Sequence, residues 1–575
     1  MTRSPFSLSV RADPPPASSL LPYVANADLR RDHAQYSDLL NDGERDVRNY
    51  FEQLRRCAGP LPLNVFATIN NRWIINETAH ESWEAEFLSD RIANKARQTR
   101  ATMREEGMIF TRPGALLNLK LLLGLQPPTT PFKKTAIGAI ALHANDYIES
   151  EENSSLAHGT LPVIAEFAPR WELQNPRNPR QLLCRSFYLY DLLQRDERMQ
   201  ALFATPLPEV TFAGLRFSEY FGLLFGMHTN ASSGIVAAPY PTSILDAVDI
   251  ATKAHFSIEQ FTMFAASKAL TLPTARTTID LPDEQTFRDR ITTPAWTTDH
   301  RTFRGRPLLQ LDDGRYLVLD LQFLFESASA GLSWTLMEHL SREDRARFLE
   351  YWGGIFEQYV QDLLAHYYAA QAPVSKTYAG GQIDALLVVG DDLVVLEVKA
   401  GFLPEEAKGA RDPAIIDAAL RKKYVQDERG RRVGIRQLAT MSNALLAGTV
   451  AGVPARGRVY PVLVGEDPLL QTPGVNIFLN DVFREEISDD RIMPLTVMLI
   501  DEVEELLPNI DAGEITWQDV FSHHCTNGRV AGAPVHTTLV ELAMARRFRR
   551  RPNAFLAQQA KRLIAIINDT YQGLA

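Results

Sequence analysis

Gly380 to Gly401 reads GGQIDALLVVGDDLVVLEVKAG. Two apolar runs, Ile383 to Val389 and Leu393 to Lys399, flank Gly390-Asp391-Asp392. Strand-forming runs bounded by turn residues predict a β-hairpin. With Asp391-Asp392 as the two-residue loop, Gly390 pairs with Leu393. The ladder then sets Asp384 opposite Lys399 and Leu386 opposite Glu397. Side chains alternate faces along a strand, so Glu397 and Lys399 share a face. Asp384 joins them as the cross-strand partner of Lys399. A slip of one residue would carry Asp384 to the other face, so the geometry depends on the turn.

Leu393-Val394-Val395-Leu396 shows no polar alternation, the pattern of a strand covered on both faces. Charged residues in that setting are rarely buried unless paired or bound to metal. One reading is a buried salt-bridge cluster, which adds little net stability. The other is a metal site, because two acids against one lysine leave charge for a cation to balance. Asp384 and Glu397 are hard oxygen donors suited to Mg²⁺ or Mn²⁺. A bound divalent ion lowers the pKa of its water and stabilises an attacked phosphate. The chemistry expected is metal-dependent phosphodiester hydrolysis.

The D-x12-E-V-K spacing on a hairpin of apolar strands resembles the PD-(D/E)xK nuclease superfamily, the restriction-endonuclease-like fold. That family usually carries a helix before the hairpin, with a glutamate facing the site. Phe348 to Tyr368 reads FLEYWGGIFEQYVQDLLAHYY, and Phe356, Val360 and Leu363/Leu364 form an apolar stripe at helical spacing. Glu357 lies beside that stripe. The competing reading for Glu357 is a solvated helix face, and Glu350, two turns earlier, is the rival carboxylate. The resemblance implies that Asp384, Glu397 and Glu357 hold the metal, with the Val398 carbonyl as a further ligand. It implies that Lys399 orients or deprotonates the attacking water. Ile383 stands where the family name has proline. A downstream helix, Ile435 to Leu446, offers Gln437, similar to the glutamine of some branches, although Met441 replaces the tyrosine expected four residues later. The resemblance covers Phe348 to Phe521, under a third of the chain.

The 575 residues are too many for one core, and two to four domains are expected. Composition is that of a globular protein, 45% hydrophobic and 23% charged. Cys57, Cys184 and Cys525 are far apart and odd in number, which argues against a disulfide framework and for a reducing cytoplasm. His523-His524-Cys525 has no second ligand cluster nearby, so ordinary loop residues are favoured over zinc. The N-terminus lacks a sustained apolar core, and no stretch reaches the roughly 18 apolar residues of a membrane span. The net charge of −10 excludes a wholly basic surface and leaves nucleic-acid contact to local patches.

Residues 1–20 are Pro- and Ser-rich and expected to be disordered. Residues 21–300 form an N-terminal recognition or regulatory region, mostly α or α+β. Within it Asp28 to Cys57 reads as helix, Leu61 to Ile75 as strand and Thr78 to Gly107 as a charged amphipathic helix with a basic stretch at Asn94 to Arg100. Further helices are expected near 180–195, 242–253 and 257–269. Residues 301–345 carry a second hairpin signal, Arg306 to Leu311 and Arg315 to Leu319 around Asp312-Asp313-Gly314, then a helix from Phe323 to Ser341. This connecting unit is expected to pack beside the nuclease-like domain, 346–530, an α/β unit with a mixed central sheet flanked by helices. Its remaining strands are Val459 to Val464 and Leu495 to Ile500. Residues 531–575 form a basic helical pair broken near Pro552. Two basic segments are candidate phosphate contacts: Arg421, Lys422 and Lys423 with Arg429, Arg431, Arg432 and Arg436, and Arg546, Arg547, Arg549, Arg550 and Arg551. A solvated helix end is the competing reading of the second.

No Gly-x4-Gly-Lys-Ser/Thr loop occurs, so ATP hydrolysis by this chain is not expected. The leading expectation is a metal-dependent nuclease acting on DNA. The alternatives are a silent nucleic-acid-binding or assembly protein keeping the fold, and a ribonuclease. By analogy of fold alone, a cytoplasmic nuclease without its own motor suits restriction or anti-phage defence. The N-terminal half would then meet a ligand or partner protein, and a homodimer would serve double-strand cuts.

Overall fold

The computed structural model describes residues 45–57, 59–75, 87–89, 110–125, 134–148, 159–236, 242–254, 256–328, 330–368, 376–378, 381–453, 457–526 and 532–572. Asp392–Lys399 is an inner strand of a four-stranded sheet. It runs antiparallel to Ala385–Val389 and parallel to Val459–Gly465, which is parallel to Thr496–Leu499. All seven residues of Val459–Gly465 are buried, as an inner strand covered on both faces requires. Leu386, Leu393, Val395, Leu463 and Val497 face one layer, with helices Ile435–Leu446 and Val475–Arg484. Leu387, Val394, Leu396, Val398 and Val464 face the other, with helices Arg342–Tyr367 and Ile500–Asp511. The C-terminal part is thus α/β with a mixed sheet flanked by helices, as the sequence led us to expect.

The hairpin register differs from the expected one by two residues. Asp392 pairs with Val389 and Leu396 with Ala385, so Gly390-Asp391 is the loop. Gly390 adopts φ 66°, the left-handed conformation that two-residue hairpin loops favour and glycine reaches without strain. Glu397 and Lys399 lie two apart on one strand, so they share a face at any register. Asp384 is no longer opposite Lys399. It sits in a bend between the short strand Gly381–Ile383 and Ala385–Val389.

The N-terminal half is mainly helical, with a small sheet in the order Ile244–Leu245, Tyr316–Val318, Leu308–Gln310, Ala269–Thr271. The second hairpin forms where expected. The helix read over 323–341 is two, Leu321–Glu326 and Ala330–Glu338. Helices Pro179–Arg195 and Ile258–Lys268 match expectation, while the segment near 242–253 opens with a strand before helix Ala247–Ala254. Leu61 to Ile75 is not a strand but lies in helix Pro60–Ile75. Nearly every side of that helix is buried, its polar residues included. Asn70 donates to the Leu319 carbonyl at 2.7 Å, and Asn71 to the Val318 carbonyl at 2.8 Å. A helix enclosed all round shows no amphipathic period, so its mixed pattern reads like alternation. Residues 1–20, most of Asp28 to Cys57 and nearly all of Thr78 to Gly107 lie outside the described residues; Val47–Cys57 is helical.

Packing does not stop near residue 300 or at 345. One apolar cluster extends from Ile74 to Leu563, and a second from Val47 to Phe323. Leu308, Tyr316 and Val318 enter the first, and Leu309, Leu317 and Leu319 the second. Consecutive residues of the second hairpin thus feed both cores. Cys57, Cys184 and Cys525 are unbridged. No helix among the described residues is long and apolar enough to cross a membrane.

Candidate active site at the open end of the hairpin

The antiparallel ladder ends at Leu396 and Ala385, so Glu397, Val398 and Lys399 continue past their hairpin partner. Asp384 fills the vacated edge: its Oδ2 accepts from the Val398 N–H at 2.8 Å. Helix Arg342–Tyr367 approaches the same edge, where Gln361 Nε2 donates to the Asp384 carbonyl at 2.7 Å. Glu357 lies one turn before Gln361, so the two share a helix face.

Glu397 is 1% exposed and Asp384 8%. Lys399 is half-buried, its Nζ 2.5 Å from Glu397 Oε1. The second Glu397 oxygen, Oε2, is buried with no hydrogen-bond partner. Burial pushes the Glu397 carboxyl up to about 8. Asp384 and Glu357 add to the rise, and Lys399 only partly offsets it. Glu357 is raised to about 7, first by burial and then by the Asp384 charge. Asp384 is raised by burial against the pull of the Val398 N–H and Lys399. For Lys399, burial alone would lower the pKa, but Glu397, Asp384 and Glu357 together raise it. The four groups therefore form one electrostatic unit. Fully ionised, three carboxylates and one ammonium leave two negative charges in a largely apolar setting.

Among the described residues no three His, Cys, Asp or Glu side chains converge closely enough to cage a metal ion. Mg²⁺ does not require such a cage, because it is held by one or two carboxylates with waters and substrate oxygens. The unpartnered Glu397 Oε2, a neighbouring Asp384 and three acids against one lysine fit a hard divalent cation.

Other expected site residues are placed differently. Gln437 Oε1 accepts from the Gly434 N–H at 3.2 Å, closing the start of its own helix. Glu350 is exposed, on a shallow surface with Lys422, Arg429 and Arg431. Lys423 is not a surface contact. It donates to the Gly401 carbonyl and lies 3.9 Å from Asp467; burial lowers its pKa to about 8. Together with Leu403 N donating to Asp467 at 2.6 Å, it pins the loop that follows Lys399. Arg421 pairs with Asp417, Lys422 with Glu428, Arg431 with Asp427, and Arg432 and Arg436 with Glu486. Arg546 pairs with Asp519, Arg550 with Glu505 and Arg551 with Glu514. Of the second basic run, Arg547 and Arg549 are left exposed without an ion-pair partner among the described residues. His523 contacts Glu541 and His524 contacts Thr538, on helices Trp517–Thr526 and Val535–Arg546 rather than in a loop. Sequence reading missed Gln361, although its position four residues after Glu357 was the available signal. It also missed Asp467, which follows the strand that lies parallel to Lys399.

No family model, curated protein or solved structure matches the chain.

Proposed function

We propose that this chain is a divalent-metal-dependent nuclease that hydrolyses phosphodiester bonds, of DNA in the first instance. The observation that carries the reading is Glu397: a nearly fully buried carboxylate with one oxygen on Lys399 and the other unpartnered, beside Asp384 and Glu357. An ion pair that leaves one buried oxygen unmet carries a cost of about 1–3 kcal/mol, which a bound cation would remove. Asp384 and Glu397 would hold Mg²⁺ or Mn²⁺, with Glu357 acting through water. When bound, the ion supplies an acidified water and charge relief at the phosphate. Lys399 would donate toward the attacking water or the phosphate oxygen. Gln361 and the Val398 N–H hold Asp384 in place from its two ends.

A second reading, a silent nucleic-acid-binding protein with the same fold, draws on the absence of a pre-formed three-ligand cage among the described residues. One experiment separates the two. Purified protein is incubated with supercoiled plasmid, linear duplex, single-stranded DNA and RNA, with Mg²⁺, Mn²⁺ or EDTA. Cutting that needs metal and disappears in Lys399→Ala supports the nuclease and names its substrate. Metal-independent cutting, or equal cutting by Lys399→Ala, refutes it. Nucleic-acid binding without cutting favours the silent protein.

A further inference from the structure

A cleft of about 930 Å³ lies between the N-terminal helices and the C-terminal segment, and none of Glu357, Asp384, Glu397 or Lys399 lines it. Its size lies within the range of small-molecule sites. Trp73 and Trp171 form part of its wall. The indole Nε1 of Trp171 is buried and donates to nothing. Arg180 lines the cleft, exposed and without an ion-pair partner among the described residues. Arg550 also lines it, 3.5 Å from Glu505. The first turns of two helices, Pro179–Arg195 and Val535–Arg546, line the same space with their N–H groups already engaged, Arg180 and Gln181 donating to Asn178 Oδ1 and His536 to Glu502 Oε1.

These features favour a ligand with a flat ring and an anionic group. A simple anion would leave the tryptophan wall and most of the volume unused. A neutral aromatic ligand would make no use of Arg180. We propose that this cleft binds a mononucleotide, with its base against the tryptophans and its phosphate at Arg180, and that occupancy regulates the cleavage site.

The regulatory half rests on the nuclease reading and on a continuous polar chain. Arg177 lines the cleft and grips Asp501 at 2.5 and 3.1 Å. Asp501 also accepts from Arg185, which holds Glu504 at 2.6 and 2.8 Å. Glu504 accepts from the Tyr359 hydroxyl at 2.5 Å. Tyr359 follows Glu357 by two residues on helix Arg342–Tyr367. A phosphate at Arg180 adds negative charge to the cleft that Arg177 also lines, at the start of a chain that ends on the helix carrying Glu357.

The test is calorimetric titration of the full chain with the four ribonucleoside mono- and triphosphates, adenosine and inorganic phosphate. EDTA is present, so that no metal-held phosphate at the cleavage site contributes heat. At least one nucleotide is expected to bind at a single site, at least about tenfold more tightly than phosphate or nucleoside alone. Arg180→Glu, on an exposed first turn where an acid suits the helix, should weaken it by at least about tenfold without lowering the melting temperature. Trp171→Leu should do the same by removing part of the aromatic wall. No heat from any nucleotide at about 1 mM, or unchanged affinity in both variants, overturns the site. With metal restored, saturating nucleotide should change the cleavage rate, and Tyr359→Phe should abolish that change while leaving binding intact. Binding with no effect on an active nuclease overturns the regulatory half. Binding by a protein that never cleaves sinks the nuclease reading and leaves the cleft assigned.

Discussion

Asp384 has two separable tasks, and two substitutions tell them apart. Its Oδ2 accepts the Val398 N–H at 2.8 Å, in a place where no strand neighbour offers an acceptor. Its charge contributes to the cluster. Asp384→Ala removes both and leaves a buried N–H unmet, at a cost of about 1–3 kcal/mol. Asp384→Asn keeps an oxygen of the same reach and removes only the charge. Burial already raises the Asp384 pKa, so loss of that charge relieves a desolvation cost. The asparagine variant is therefore expected within about 1 kcal/mol of wild type, or above it, while alanine falls below both. Both variants lose cleavage by about 10²–10³-fold, the loss typical of removing one group that stabilises charge in a transition state. Urea midpoints at pH 7.5, followed by tryptophan fluorescence, give the stability order, and metal-dependent plasmid nicking gives the activity. Equal midpoints for alanine and asparagine would refute the hydrogen-bond account. An asparagine variant as active as wild type would refute the assignment of Asp384 to the chemistry.

Lys399→Met should abolish metal-dependent nicking while the protein still unfolds cooperatively, because the Glu397 carboxyl, already raised to about 8, takes a proton when its partner is removed; nicking at the wild-type rate would remove Lys399 from the mechanism. His524 is buried and its pKa is held at about 4 by burial, below the unfolded value near 6.5. Its contribution to stability is therefore present above about pH 6.5 and lost as pH falls toward 4, an upper bound of about 3 kcal/mol. His524→Gln should accordingly show a shallower fall in melting temperature between pH 6.5 and 4 than wild type, and an identical slope would show that His524 is not the titrating group. If Arg547 and Arg549 touch DNA, the double Glu variant should lower affinity and reduce the log–log salt slope by about 2, one for each phosphate that is no longer neutralised; an unchanged slope would take this run out of the interface.

The hairpin was legible because a glycine and two aspartates interrupt two apolar runs, and few structures other than a turn accommodate that. Its register was not, since Gly390-Asp391 and Asp391-Asp392 are both acceptable loops by composition. Glu397 and Lys399 share a face at either register, being two apart on one strand, whereas the pairing of Asp384 with Lys399 depended on the turn and is not formed. The helix over Arg342–Tyr367 was legible from Phe356, Val360, Leu363 and Leu364, all of them buried. Pro60–Ile75 was misread because enclosure on all sides erases the period on which such reading depends. Arginine-rich stretches look like phosphate contacts in a linear sequence, yet the acids that neutralise them can be distant: Arg432 finds Glu486 54 positions away, and Arg546 finds Asp519 across 27. The cleft was invisible for the same reason, since Arg180 and Arg550 come together only through tertiary packing.

The bend at Asp384 links fold to chemistry. Had the hairpin ladder continued past Leu396 and Ala385, a strand neighbour would have taken the Val398 N–H, and the edge beside Glu397 and Lys399 would be covered. Ending it there replaces backbone pairing with a carboxylate and lets the helix bearing Glu357 and Gln361 reach the edge. The substitution is unfavourable for stability alone, since it concentrates three acids in apolar surroundings and pushes two of them to about 7 and about 8. A chain selected only for stability would place leucine or valine at these positions, because apolar replacement of buried ion clusters is commonly neutral or stabilising. Local conflict of this kind is expected where function, rather than packing, determines the residue. The buried network of Arg177, Asp501, Arg185, Glu504 and Tyr359 repeats the conflict in a second place, and it joins the N-terminal half to the helix that carries Glu357. A network of that cost is expensive as mere support for a helix that Phe356, Val360 and Leu363 already anchor; as the proposed connection between cleft and cleavage site it has a reason to persist.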